Sequence, residues 1–297
     1  MTAFLFPGQG SQTPGMGADF YQSSQDARAI FDRAASLSAP GWLDTLFTGT
    51  EAELADTRMA QPALLTVETA MCAHLAASGI RPAVCAGHSL GEYSALVAAG
   101  ALAFEEAFRL VQERARLMSE NVPEGTMAAV MGLDPAAIEA ALPEGAQVAN
   151  YNGPGQTIIS GTLAAIDAAE QSLKTAGAKR VMRLNVSGPF HSECMRAAAD
   201  AFRGILGGAA LKPPEIRFVS SVSGQEEPEP ERIRDLLGRQ LCAPVRWTEV
   251  MTAIGPAKAL EVGPGRVLQG LAKRTENAPA VTPVGTLEGV AALGEHA

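Results

Sequence analysis

Residues 83–99 open with the apolar run Ala83-Val84-Cys85-Ala86, turn through Gly87-His88-Ser89-Leu90-Gly91, and continue from Tyr93 to Ala99 as a second apolar-rich segment. A short strand, a serine with a glycine two places away on either side, and then a helix is the context of a Gly-x-Ser-x-Gly nucleophile elbow. A turn sharp enough to push a serine side chain clear of the backbone brings its neighbours into contact, and residues without a β-carbon fit there. The helix that follows aims free N–H groups at whatever forms beside Ser89 and so favours negative charge at that spot. With 30 glycines in the chain, a chance match is the competing reading. A base, an oxyanion donor and a substrate anchor must come from elsewhere.

Working outward, 297 residues that are 47% hydrophobic can bury a large core without staples. The four cysteines, Cys72, Cys85, Cys194 and Cys242, lack Cys-x-x-Cys spacing and lie in or beside apolar runs, so reduced packing residues are expected, with neither a disulfide framework nor a metal site. Ala3-Phe4-Leu5-Phe6 begins at once as a buried strand, without a basic leader, and no apolar run has the length to cross a bilayer. A soluble, cytoplasmic protein is expected. The net charge of −9 argues against general binding to nucleic acid or anionic membranes, which need a basic surface.

The first strand runs into Pro7-Gly8-Gln9-Gly10-Ser11-Gln12, a glycine-rich loop that is either an anion-presenting turn or only a turn. Residues 18–37 read as one helix, and Gln61-Pro62 as the opening of another that runs over 63–78, with proline in its first turn. From Phe104 to Glu120 the apolar stripe Phe104, Ala107, Phe108, Val111, Ala115 and Met118 recurs by threes and fours. Arg114 falls on the edge of that stripe, beside Ala107 and Val111, while Arg116 falls among Glu105, Arg109 and Gln112 on the wet face. A guanidinium brought to a core face is costly unless an anion answers it. Either a carboxylate from elsewhere pairs with Arg114, or the anion is a substrate.

Residues 126–188 change character to a βαββαβ order, with strands over 127–132, 147–151, 156–160 and 180–185 and helices beginning near Asp134-Pro135 and Thr162. The expected fold is therefore α/β: a large α/β-hydrolase-like domain with a parallel sheet core (1–125 with 189–297) and an inserted ferredoxin-like subdomain (126–188). Directly after that insert comes Val186-Ser187-Gly188-Pro189-Phe190-His191-Ser192. Of four histidines, His296 is near the end of the chain, His74 lies mid-helix and His88 sits inside the elbow, which leaves His191, at a Gly-Pro corner on a domain junction, as the candidate base. A purely structural histidine is the competing reading. The α/β alternation resumes with a strand over 216–221, helices over 230–241 and up to Ile254, a strand over 259–262 and a further helix.

With these pieces in place, the chain resembles the malonyl-CoA:acyl-carrier-protein transacylases, including the free-standing acyltransferases that serve polyketide synthases. The ordered motifs are Phe6 to Gln12, Gln61-Pro62, Gly87 to Tyr93, Arg114 with Leu117-Met118, Asn152 with Gln156 and Ile159-Ser160-Gly161, Phe190-His191-Ser192, Pro244 to Trp247, and Glu261 to Gly265. The resemblance implies Ser89 as nucleophile and His191 as its base, without a carboxylate third member, the histidine being held by a backbone carbonyl near Gln240. It implies the backbone N–H groups of Gln9 and Leu90 as the oxyanion hole and Arg114 as the grip on the malonyl carboxylate. Gln61, His88 and Asn152 would line the pocket. It further implies no bound cofactor, with malonyl-CoA and a phosphopantetheinylated, acidic acyl carrier protein as substrates in fatty-acid or polyketide synthesis. Phe190 before the histidine favours malonyl, while Gly188 is expected to open space two residues earlier, which leaves tolerance of larger extender units open.

Two other readings stand beside this one: a serine hydrolase that proofreads carrier proteins, and an inactive carrier-docking module. Nothing suggests an obligate dimer, so a monomer is expected. An acidic carrier needs a local basic patch, for which Lys174, Lys179, Arg180 and Arg183 are the candidates.

Overall fold

The computed structural model describes residues 2–120 and 122–293; His296 lies outside them. Two sheets organise the chain. The first holds β1 (Thr2–Phe6), β2 (Val84–Gly87), β7 (Arg217–Val219), β8 (Lys258–Glu261) and β9 (Ala280–Pro283) in the order β7-β2-β1-β8-β9. Every pairing in it is parallel. Alternation along β1 explains the layers: Phe4 and Phe6 face one core with Tyr93, Phe108 and Phe202, while Ala3 and Leu5 face a second with Trp247, Val250 and Met251. A sheet covered on both faces can expose function only at its ends, and the carboxyl ends of β1 and β2 carry the Pro7 loop and Ser89.

The second sheet is antiparallel, in the order β4-β5-β3-β6, from β3 (Gly125–Met131), β4 (Ala146–Gly153), β5 (Gln156–Thr162) and β6 (Arg180–Arg183). With helices over Pro135–Ala141 and Leu163–Thr175, this is the ferredoxin-like order. Asp134 and Thr162 cap those helices by accepting from Ala137 and Ala165 N–H. One face of the sheet packs Ala128, Val130 and Ile159 against Ile166 and Leu173 of its own helices. The other presents Met127, Ala129 and Ile158 to the cleft. Val245 is stitched to β4 by bonds in both directions, its N–H to Ala149 O and its O from Tyr151 N–H, both 2.8 Å.

Two helices differ from the sequence reading. Residues 18–36 form two helices, broken at Ser24, whose extended backbone (φ −123°) lets its hydroxyl cap the second by accepting from Ala27 N–H. The helix expected to start at Pro62 instead begins at Thr57, because Asp56 caps it through Arg58 N–H, and it carries Pro62 inside. That earlier start brings Thr57 into the site. Among the described residues no helix is long and apolar enough to cross a membrane, and the four cysteines are free.

Candidate active site

The elbow at Ser89 is built by exclusion of side chains. A β-carbon on Gly87 would lie 1.9 Å from Gly91 C, and one on Gly91 would lie 2.2 Å from Phe6 O. With that space closed, Ser89 is held at φ +52°, a conformation costly for a non-glycine residue and sustained only by its surroundings. His191 is likewise held at φ +57°.

Ser89 Oγ lies 2.8 Å from His191 Nε2. The tautomer follows from the partners. His191 Nδ1 faces two acceptors, Gln240 O at 2.8 Å and Ala243 O at 3.2 Å, so it carries the proton and Nε2 offers its lone pair to the serine hydroxyl. Burial first, and then the charge of Arg114, push the His191 pKa down to about 3, so the imidazole is neutral at physiological pH. A hydroxyl donating to a neutral imidazole is the arrangement that nucleophilic acyl transfer requires. The N–H groups of Gln9 and Leu90 have no protein acceptor among the described residues. Leu90 stands at the start of the helix Gly91–Ala98, which has no side-chain cap.

Arg114 lies in the helix Phe104–Leu117 and is 1% exposed. All its hydrogen-bond acceptors are neutral oxygens: Nη1 donates to Gln61 Oε1 (2.6 Å), and Nη2 donates to Gln240 Oε1 (3.0 Å) and to Ser89 Oγ (3.1 Å). Its Nε has no partner. Among the described residues no carboxylate pairs with it, so the internal ion pair that the sequence left open does not form. Arg116, two residues on, pairs instead with Glu113 and Glu120 at the surface.

Other expected residues converge on the same cavity of about 320 Å³, which opens between the two sheets. His88 Nε2 lies 3.0 Å from Asn152 Oδ1, joining the elbow to β4. Gln61, expected in the lining, is instead fully buried and outside it, and meets the site by donating from Nε2 to Gln9 Oε1 at 3.3 Å. Phe190 is buried on the wall, and here the expectation for Gly188 fails: a β-carbon there would lie 3.1 Å from Phe190 Cε1, so the aromatic ring already fills the space. The basic patch also needs correction. Arg183 shares a strand face with Val181, away from the cleft, and is tied to Asp167 and Glu170. Lys174 lies near the end of that same helix, and the Lys179 side chain covers Gly132. Of the four, Arg180 shares its strand face with Met182, which lines the cavity together with Leu184.

Sequence reasoning missed Thr57, Ser187 and Glu92. Gln9 Nε2 donates to Thr57 Oγ1, which is 3.0 Å from Ser187 Oγ, so the Pro7 loop is latched to the segment before His191. The Asp56 cap signal was there to place Thr57. Glu92, 1% exposed, is a lone acid at the head of an apolar helix, and that isolation is the signal that could have found it. Among the described residues no group of three or more His, Cys, Asp or Glu could hold a metal.

A family profile described as "Acyl transferase domain" matches residues 3–289. The chain is 44% identical over 283 residues to the malonyl CoA-acyl carrier protein transacylase of Bacillus subtilis, covering 92% of this chain and 89% of that one. It is 45% identical over 284 residues to the protein of that name from Escherichia coli K12, covering 92% of each. Among solved structures, a type II PKS acyl-carrier protein in complex with its malonyl-transacylase matches with a TM-score of 0.94 at 39% identity, over 100% of this chain and 99% of that one. An acyl carrier protein S-malonyltransferase from Vibrio cholerae matches with a TM-score of 0.93 at 39% identity, over 98% and 99%.

Proposed function

The chain belongs to the acyl transferase domain family, and from that premise we propose that it is a malonyl-CoA:acyl-carrier-protein transacylase serving fatty-acid or polyketide synthesis. The observation that carries the choice of acyl group is Arg114: a buried guanidinium with only neutral partners, one of them the Ser89 hydroxyl. A carboxylate one methylene away from the scissile carbonyl answers that charge with a charge-assisted, two-pronged pair. An acetyl group leaves it unanswered.

In the first half-reaction Ser89 Oγ attacks the thioester carbonyl of malonyl-CoA and His191 Nε2 takes its proton. The tetrahedral oxyanion accepts from Gln9 and Leu90 N–H, donors each worth about 10²–10³ in rate. Collapse breaks the carbon–sulfur bond, and the departing coenzyme A thiolate takes the proton back from His191. The malonyl-serine ester is then attacked by the phosphopantetheine thiol of the carrier, with His191 as base and Ser89 as leaving group. His88, Asn152 and Phe190 shape the acyl pocket, and the Gln240 carbonyl holds the histidine. No step calls for an electron carrier or a metal ion.

The same reading divides the chain into a catalytic domain (1–125 with 189–297) and an inserted subdomain (126–188), in line with the two sheets. It takes the enzyme to be a cytoplasmic monomer. The cavity rim carries two exposed apolar residues, Met182 and Val267, with Arg180 beside the first, and offers the acidic carrier its approach.

Initial rates with malonyl-CoA and carrier protein both varied test the reading. Parallel double-reciprocal lines with malonyl-carrier as product are expected. Release of free malonate at the same rate with and without carrier protein would favour the hydrolase instead.

A further inference from the structure

We propose that Glu92 is a positioning residue that sets the preference of the site for a carboxylated acyl group, acting through the side-chain amide of Gln240. The proposal rests on the malonyl reading above and assigns a part to an acid which that mechanism does not use.

The geometry is a chain of three groups with opposite needs. The Arg114 guanidinium can only donate, and an ionised carboxylate can only accept. Between them lies Gln240, fully buried, whose amide has one end of each kind. Its Nε2 donates to Glu92 Oε2 and to Ser89 O (3.0 Å), both acceptors, so its Oε1 is turned toward Arg114 Nη2 at 3.0 Å. The other carboxylate oxygen of Glu92 accepts from Ser221 N–H at 2.8 Å, which anchors the acid to the loop after β7. Each group can be satisfied in one orientation only, and Glu92 decides which. With the acid in place, Arg114 is oriented by the Gln240 amide oxygen. A direct Glu92–Arg114 ion pair would do the same but would occupy the fork that the substrate carboxylate needs.

The main chain of Gln240 adds a second consequence. Its carbonyl accepts from His191 Nδ1, so one residue orients the acyl anchor with its side chain and the base with its backbone. Glu92, by fixing Gln240, holds the two at constant spacing about Ser89.

Glu92→Gln keeps the shape but gives position 92 a donor end. That NH₂ must face either the Ser221 N–H or the Gln240 amide NH₂, and relief by flipping Gln240 turns NH₂ against the guanidinium. The readout is the ratio of single-turnover rates at which malonyl-CoA and acetyl-CoA label Ser89, followed by intact-protein mass. The wild type must form the malonyl adduct; if it does not, the functional reading fails and not this one. In Glu92→Gln the malonyl-to-acetyl ratio is expected to fall about ten- to a hundredfold, the loss of a charged hydrogen bond, with acetyl labelling changed less. Gln240→Met, which keeps the main-chain carbonyl for His191, is expected to lower the ratio by a similar factor, and the double variant to lower it no further than Gln240→Met alone. A ratio unchanged in either single variant, both rates falling in proportion with a lower unfolding temperature, or effects that multiply in the double variant would overturn the proposal.

Discussion

The two sheets meet at one cleft but build their ends differently. Between 125 and 183, positive φ is confined to glycines, and both helices are capped by side chains, Asp134 and Thr162. In the catalytic part, Ser89 and His191 hold positive φ without being glycine, and the helix Gly91–Ala98 begins uncapped. The antiparallel unit satisfies local rules and contributes a wall. The parallel unit is less regular, with Asn277 also at positive φ and further helices uncapped, and at the cleft that irregularity has a use: the uncapped N–H groups beside Ser89 are open to an oxyanion, and the buried cation without an acid is open to an anionic substrate.

That contrast predicts where substitutions separate stability from chemistry. Ile166, fully buried in the cluster between the antiparallel sheet and its helices, is not among the residues that line the cleft. Ile166→Ala is expected to cost about 2–5 kcal/mol in denaturant unfolding, while malonyl labelling by the folded fraction keeps its rate. A labelling rate that drops in step with stability would break the contrast by making the wall part of the machinery.

His191 is depressed by burial and by Arg114 to about 3, against about 6.5 in the unfolded chain. Between those values the folded state binds fewer protons than the unfolded one. The contribution of this histidine to stability is therefore whole above pH 6.5 and is lost as pH falls through the window toward 3, by up to about 1.4 kcal/mol per unit. The neutral base persists over the same span, so malonyl labelling at low substrate should stay level as pH drops from 8 through 6.5. Arg114→Ala removes a positive neighbour and should move the acid limb upward. A wild-type limb centred at 6.5 would contradict the burial of the pair.

Much of this was legible in the sequence, for physical reasons that can be named. The elbow is local: glycine spacing, strand and helix lie within 17 consecutive residues. Helical periodicity put Arg114 on a buried stripe and Arg116 in water, and both lie there. Cap residues and alternating strands disclosed the antiparallel unit. What stayed hidden depends on the third dimension. Pro62 drew the helix start forward because it is the stronger local signal, while the Asp56 cap that sets the start is quieter. The space at Gly188 could not be seen to be filled, since the direction of the Phe190 ring is a tertiary fact. Arg183 read as part of a patch until strand alternation turned it to Asp167 and Glu170 on the helix packed against its strand. Glu92 and Gln240 lie 148 residues apart, beyond any spacing rule.

The central claim, that Ser89 carries the acyl group and Arg114 selects it, is tested most directly by intact-protein mass after brief exposure to malonyl-CoA or acetyl-CoA in the wild type, Ser89→Ala and Arg114→Ala. One malonyl adduct is expected, absent in Ser89→Ala and slowed in Arg114→Ala about ten- to a hundredfold, with the malonyl preference lost. No malonyl adduct, one that survives Ser89→Ala, or a malonyl preference indifferent to Arg114 would contradict it.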